Sequence, residues 1–538
     1  MKLTRRNFVK MVGLGVGGIM ASRSLVADVA PKSKKPNLLF IMTDQQRWDA
    51  LSIAGNKVLE TPNLDRLARQ GAFFKNAYTP CAVCCPARSV VLTGHTVENT
   101  GMKTNYLAYY PEEDGLMTQP TFDEILTEHG YRCEYYGKWH SLSARAECYQ
   151  NPVQVAKNGN SIFGPGGQEY MYRDHLDKHV PRRELREGEF YENVSQRPYR
   201  SDPIDRYHGM TPDELEAEGI HVGQSDQHGE LLIPSEHSIT AFQSRQTIEA
   251  IERLKDEPFS ITCSLHFPHI PITPAEPYYS MYPPEEMDNE IPASIHDDMA
   301  NSPYAGTNGR RNLPQYRDKE KLKYMISNYY GLVREIDDWV GKIMDTLDKH
   351  GLTDNTLVIF CSDHGDMMGS HGMRAKNVFY EESAHIPLFI RFPGRIKSNT
   401  VVAEPVSLID LFATILDYMG VEEHESDGQS LRDLIEGKST EHGKYVVTEW
   451  LWRGDVEPNF MIVKDGWKMM IPYSKTSTVL NVLYDLNTDP YEMNNLIANN
   501  PNSYHYAEKT EELRACLLEW LDETGSSHYD GVKERKLV

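Results

Sequence analysis

A chain of 538 residues, 40% hydrophobic and 25% charged, can bury one large core and carry a smaller appended module. A mean hydropathy of −0.55 argues against a bundle of membrane spans, and the apolar content argues against disorder. The formal net charge of −22 repels nucleic acid and anionic membrane surfaces, so any site for an anion has to be locally basic.

The chain opens with Thr4-Arg5-Arg6-Asn7-Phe8-Val9-Lys10 ahead of a glycine-rich apolar run, 11–20, that is too short to span a bilayer. This reads as a twin-arginine (Tat) signal over 1–27, engaging the Tat translocon and sending a bacterial protein to the periplasm or beyond. Cleavage after Ala27 takes away five cations and no acid, which moves the charge to −27.

Short apolar runs at 37–42, 259–265 and 356–361 each stop abruptly at polar residues, the pattern of buried parallel strands. Helical periodicity at 62–70, with Thr61 as N-cap, and at 319–350 separates them. Alternation of this kind predicts an α/β fold, a doubly wound and mostly parallel sheet whose ligands gather beyond the carboxyl ends of the strands. The polar stretch 144–237 lacks strong periodicity and reads as excursions over those ends, with Tyr170, Tyr172, Tyr191 and Tyr199 available to stack on sugars. After about Gly437 the texture predicts a small antiparallel sheet, 445–450, 460–463, 467–471 and 482–486, with a covering helix over 506–521. The organisation expected is a signal over 1–27, a catalytic domain over 32–437 and a C-terminal subdomain over 438–538.

Eight cysteines are too few for a disulfide scaffold, and Cys133, Cys263 and Cys361 sit in strand-like settings that suit buried thiols. The cluster Cys81, Cys84 and Cys85 asks for another explanation. Cys84-Cys85-Pro86-Ala87-Arg88 follows Thr61-Pro62-Asn63-Leu64-Asp65 and precedes Leu92-Thr93-Gly94. Further blocks are Gly137-Lys138-Trp139-His140, Pro268-His269-Ile270-Pro271, Ser362-Asp363-His364-Gly365-Asp366, Ala375-Lys376 and Leu483-Tyr484-Asp485-Leu486. In this order they resemble the formylglycine-dependent sulfatases of the alkaline-phosphatase superfamily, whose maturation signature is Cys-x-Pro-Ser/Ala-Arg. The likeness runs through nearly the whole chain after the signal.

The resemblance implies that a formylglycine-generating enzyme oxidises Cys84 to formylglycine (3-oxoalanine). Hydrated to a geminal diol, that residue can attack sulfur with one oxygen and expel sulfate with the help of the other. By the same resemblance Arg88 orients the diol, Lys138 and Lys376 hold the sulfate oxygens, His140 assists collapse and His269 protonates the departing alcohol. Asp44 and Gln45, with Asp363, His364 and the modified Cys84, would hold one divalent cation. Hard oxygen donors favour Ca²⁺, while the histidine leaves Mn²⁺ or another transition ion open. The expected substrate is a sulfated sugar, with no nucleic acid and no stable membrane insertion. Two rival readings stay open: a phosphonate or phosphate ester hydrolase of the same superfamily, and a carbohydrate-binding pseudoenzyme.

Overall fold

The computed structural model describes residues 35–105, 116–142, 145, 147–150, 168–202, 228–297, 299–304, 314–422, 424–439 and 444–537. The signal expected over 1–27 lies outside these residues. Among them no helix is long and apolar enough to cross a membrane.

Seven strands form the main sheet: β1 (Asn37–Asp44), β2 (Ala72–Phe74), β3 (Arg132–Gly137), β4 (Phe259–Pro268), β5 (Thr356–Ser362), β6 (Leu388–Arg391) and β7 (Thr400–Val402). Their spatial order is β7-β2-β6-β5-β1-β4-β3. β1 is central, parallel to β4 on one side and β5 on the other, and β3 continues parallel to β4. Only β6 runs against its neighbours β5 and β2. The doubly wound α/β expectation is therefore met, with one reversed strand that the sequence did not announce.

Alternation along the strands divides the core between the two faces. Leu39 and Ile41 of β1, with Val358 and Phe360 of β5, pack beneath helices Pro62–Arg69, Ile239–Leu254 and Lys319–Lys349. Leu38, Phe40 and Met42, with Leu357, Ile359 and Cys361, face helices Phe122–Glu128 and Asp410–Met419 on the other side. Burial on both faces explains why these strands read as unbroken apolar runs. Cys133, Cys263 and Cys361 are buried thiols on β3, β4 and β5.

Thr61 does not cap the helix that follows it. Its hydroxyl accepts from Ser52 N at 2.9 Å and donates to Asp65. The exposed amides of that helix are taken instead by Asp337, from helix Lys319–Lys349, which accepts from Asn63 N at 3.0 Å and Leu64 N at 2.7 Å. A tertiary cap of this kind has no local sequence signal.

Within the stretch read as excursions without strong periodicity, Gln168–His179 is a helix, and Glu189–Tyr191, Pro198–Ser201 and Gly229–Leu231 form a three-stranded sheet. Tyr172 and Tyr199 are core residues rather than sugar platforms, whereas Tyr191 is 45% exposed. Tyr172 packs on Phe242 and donates its hydroxyl hydrogen to the His237 carbonyl. The C-terminal meander is as expected: Val446–Glu449, Phe460–Lys464, Trp467–Ile471 and Val482–Asp485 pair antiparallel in sequence order, beside helix Ala507–Glu523. Its apolar face shares one cluster with Cys81, Val83, Val90, Met367 and Met373. Lys468, wholly buried, pairs with Glu381 at 2.6 Å and Glu492 at 2.9 Å, fixing the sheet against the segment after Lys376.

Candidate active site

Four neighbouring parallel strands deliver their last residues to one edge. β1 ends at Asp44-Gln45, β5 at Asp363-His364, β3 at Gly137-Lys138 and β4 at Pro268-His269. Gly137 is needed for the turn into Lys138: its φ is +102°, and a Cβ there would lie 1.8 Å from the Ser264 carbonyl oxygen. Gln45 (φ +70°) and His140 (φ +45°) also occupy left-handed backbone, as do Ala375 (φ +53°) and Asn377 (φ +74°) on either side of Lys376. Such strain concentrates where side chains have to be aimed.

Cys84 is the first residue of helix Cys84–Thr93, which is buried on every side. Its position places the thiol at the positive end of the helix dipole. Lys376 Nζ lies 3.0 Å from Cys84 Sγ, His364 Nε2 3.1 Å and Lys138 Nζ 3.6 Å. Burial and the Asp44 carboxylate push the thiol up, but Lys138, Lys376 and His364 prevail and hold it well below its ordinary value. The neighbouring Cys85, buried beside Cys84, is pushed up to about 12, so only one of the vicinal pair is activated.

Arg88, one helical turn on and 2% exposed, ties the edge together. Its Nε donates to Asp363 at 2.8 Å and its Nη2 to Asp44 at 3.1 Å, while Nη1 reaches Ser264 Oγ at 2.7 Å and the Lys138 carbonyl at 2.9 Å. Lys138 Nζ also pairs with Asp44 at 2.5 Å. Lys376 Nζ donates to Gln45 Oε1 at 2.8 Å, and the Gln45 amide nitrogen donates to Asp366. His269 is fixed through Nδ1, 2.8 Å from the Ile270 carbonyl, with Nε2 4.0 Å from Asp44. His140 lies close enough to Cys84, Lys138 and Arg88 for their charges to act on its ring, and its buried Nδ1 has no hydrogen-bond partner among the described residues. Every site residue predicted from sequence thus converges on one point.

Asp44, Cys84, Asp363 and His364 each offer a donor atom, and these atoms lie within 4.8 Å of one another. Asp363 is pushed up to about 6, first by burial and then by the Asp44 charge beside it, against His364 and Arg88. Two buried carboxylates in mutual repulsion, with an amide oxygen nearby, suit a divalent cation. Sequence reasoning missed the supports. Ser264 binds Arg88 and donates to the Lys138 carbonyl at 2.7 Å, Tyr135 donates to the same carbonyl at 2.6 Å, and Tyr329 donates to Gln45 O at 2.8 Å. Asp366 lay within a recognised block without a role, and it accepts from Ala375 N at 3.1 Å as well as from Gln45.

Comparison with known proteins agrees with this geometry. The sulfatase family model matches residues 36–421, and the model for the C-terminal part of N-sulphoglucosamine sulphohydrolase matches 369–520. An arylsulfatase of Clostridium perfringens is 29% identical over 93% of this chain and 97% of its own length. An N-acetylglucosamine-6-O-sulfatase of Bacteroides thetaiotaomicron is 26% identical over 96% and 91%. A structure solved with its substrate D-glucosamine-2-N,6-O-disulfate superposes with a TM-score of 0.67 at 22% identity, covering 93% of this chain and all of that one. The phosphonate monoester hydrolase of Silicibacter pomeroyi shares the fold at a TM-score of 0.70 and 22% identity, over 92% and 96%. With the family model spanning most of its length, the chain belongs to the sulfatase family and is a sulfuric ester hydrolase.

Proposed function

We propose that the chain removes sulfate from a sulfated sugar, with formylglycine made from Cys84 as the nucleophile. The observation that carries this reading is the ring of Lys138, Lys376, His364 and Arg88 around a helix-terminal Cys84, a locally basic pocket in a strongly acidic protein. Oxidised and hydrated, Cys84 would present a diol oxygen to the sulfur of the bound ester. A divalent cation, most simply Ca²⁺, held by Asp44, Gln45, Asp363, His364 and residue 84, would supply positive charge to that nucleophile and to the sulfate oxygens.

Lys138, just beyond β3, and Lys376, on the segment between Gly372 and Glu381, both reach residue 84 and would hold the sulfate oxygens. Buried ammonium groups already fixed in place lose no reorganisation energy as charge moves in the transition state. Arg88 holds Asp44 and Asp363 apart and keeps residue 84 in register with both. His269, anchored through Nδ1, exchanges a proton with the departing alcohol oxygen through Nε2. His140, whose ring feels the charge of residue 84, assists the collapse of the diol there.

Residues 32–437 carry this chemistry and 438–538 serve as a supporting subdomain. Export by the twin-arginine route and maturation by a formylglycine-generating enzyme complete the reading. The substrate class rests on the N-acetylglucosamine-6-O-sulfatase likeness and on the superposed complex with a glucosamine disulfate. A second reading, phosphonate ester hydrolysis, draws on the phosphonate monoester hydrolase folds. Initial rates on 4-nitrophenyl sulfate, 4-nitrophenyl phenylphosphonate and sulfated glucosamines decide between them. Sulfate esters should be turned over faster by orders of magnitude, and a faster phosphonate rate would reverse the assignment.

A further inference from the structure

His371 is a wholly buried histidine that the catalytic edge leaves without a role. It lies in the turn Ser370–Gly372, ahead of Lys376 in the chain, on left-handed backbone with φ +55°. Its Nδ1 donates to Asp297 Oδ2 at 2.7 Å, and its backbone nitrogen donates to Ser294 Oγ at 3.1 Å. Its ring stacks on Tyr380, on the far side of Lys376, with centres 3.9 Å apart and planes 12° from parallel. Both partners are fixed in turn. Asp297 accepts from Met299 N at 3.1 Å and its carbonyl accepts from Arg317 at 2.6 Å, while the Tyr380 hydroxyl lies 2.8 Å from Ser302 Oγ.

The stack of His371 on Tyr380 joins the two ends of the segment 371–380, and Lys376 stands near its middle. Met367 N donates to the Ala375 carbonyl at 2.7 Å and Gly369 N to the Met373 carbonyl at 2.8 Å, which folds the chain before Lys376 into a narrow turn with His371 at its tip. Beyond the lysine, Asn377 N donates to the Ala82 carbonyl at 3.1 Å, so the segment is docked beside the start of the Cys84 helix, and Lys376 Nζ reaches Cys84 Sγ at 3.0 Å. Ala375 and Asn377 are both left-handed, a conformation that persists at residues other than glycine only where the surroundings over-determine it. Removing the His371 ring takes away the contact that joins the ends, and the backbone at 375–377 gains freedom to relax and carry the ammonium away from residue 84.

We propose that His371 is a positioning residue for Lys376: clasping Asp297 and Tyr380, it holds the segment in the shape that aims the ammonium at residue 84. The inference rests on the reading of Lys376 as a holder of the sulfate group. A packed ring and a charge-assisted hydrogen bond are suited to this, since both have a narrow preferred geometry.

A double-mutant cycle on the full-length enzyme tests it, with rates divided by the formylglycine fraction that mass spectrometry finds in each sample. The variants are His371→Ala, Lys376→Ala and the pair, and the readouts are kcat/KM on 4-nitrophenyl sulfate and inhibition by inorganic sulfate. Lys376→Ala should cost about 100-fold or more in kcat/KM, as loss of a group that stabilises transition-state charge does. His371→Ala should cost roughly 10–100-fold, the scale of a small misplacement of a catalytic group, and should weaken inhibition by sulfate. In the Lys376→Ala background the same substitution should change kcat/KM by less than about twofold, because the residue it aims is gone. A histidine that only stabilises the fold would cost the same factor in both backgrounds, and that additivity, or no loss at all, would overturn the proposal. His371→Asn suits left-handed backbone and can still donate to Asp297 while removing the stack, so it carries the same cycle if the alanine variant does not fold. A Lys376→Ala variant with wild-type kcat/KM would instead overturn the sulfate-holding role of Lys376, and this inference with it.

Discussion

Replacing Arg88 by Met probes the electrostatics of the strand edge without touching the nucleophile. The guanidinium makes four hydrogen bonds, two of them to the wholly buried carboxylates of Asp44 and Asp363. Hydrogen bonds to charged groups contribute about 1.5–3 kcal/mol each. Removing one partner of a buried ion pair costs about 3–5 kcal/mol, and the two figures agree. Unfolding entropy near 2.1 cal/mol/K per residue means that about 1 kcal/mol shifts a chain of this size by roughly 1 °C, so the apparent Tm should fall by about 3–5 °C in EDTA. Ca²⁺ should then restore more stability to the variant than to wild type, because the two carboxylates no longer share their charge with Arg88. At a concentration one hundred times Kd the ion adds about 2.7 kcal/mol. Differential scanning fluorimetry with EDTA and with Ca²⁺ measures both effects. A Tm within about 1 °C of wild type in EDTA would refute the reasoning, since the carboxylates would then be solvated or already neutral.

Lys468→Met leaves Glu381 and Glu492 facing each other in the interior, and urea denaturation should show a loss of about 3–5 kcal/mol; a loss below about 1 kcal/mol would mean the pair is hydrated. Glu335 is pushed up to about 8 by burial, with the Ser238 hydroxyl donating to one oxygen and the other without a hydrogen-bond partner among the described residues. Because the folded value is raised, this group's contribution is fully present below the unfolded value near 4.5 and is lost as pH rises through 8, about 4–5 kcal/mol in all. Glu335→Gln should therefore flatten the stability profile between these limits, and an unchanged profile would contradict the assignment. His269→Ala should slow alkyl sulfate esters far more than activated aryl ones, since proton donation matters most for a basic leaving oxygen; equal losses on both would make His269 a structural residue.

The strands carrying Asp44, Asp363 and His269 were legible because burial on both faces makes each a short apolar run that ends where chemistry begins. The predicted site residues were legible through the family's blocks, and the structure brings all of them to one edge. What escaped was set by tertiary contact. Asp337 caps a helix nearly three hundred residues upstream, and Ser264 and Tyr135 look like ordinary strand positions until Gly137 turns the chain between them. Tyr172 and Tyr199 were misread because composition cannot tell a tyrosine under a helix from one on a surface.

The central claim concerns one side chain, and mass spectrometry of the peptide containing Cys84 tests it directly. Protein produced with a formylglycine-generating system should show the aldehyde and its hydrate at residue 84, with sulfatase activity rising in proportion to that fraction. A thiol at Cys84 in fully active protein, while a control sulfatase matures in the same cells, would contradict the account.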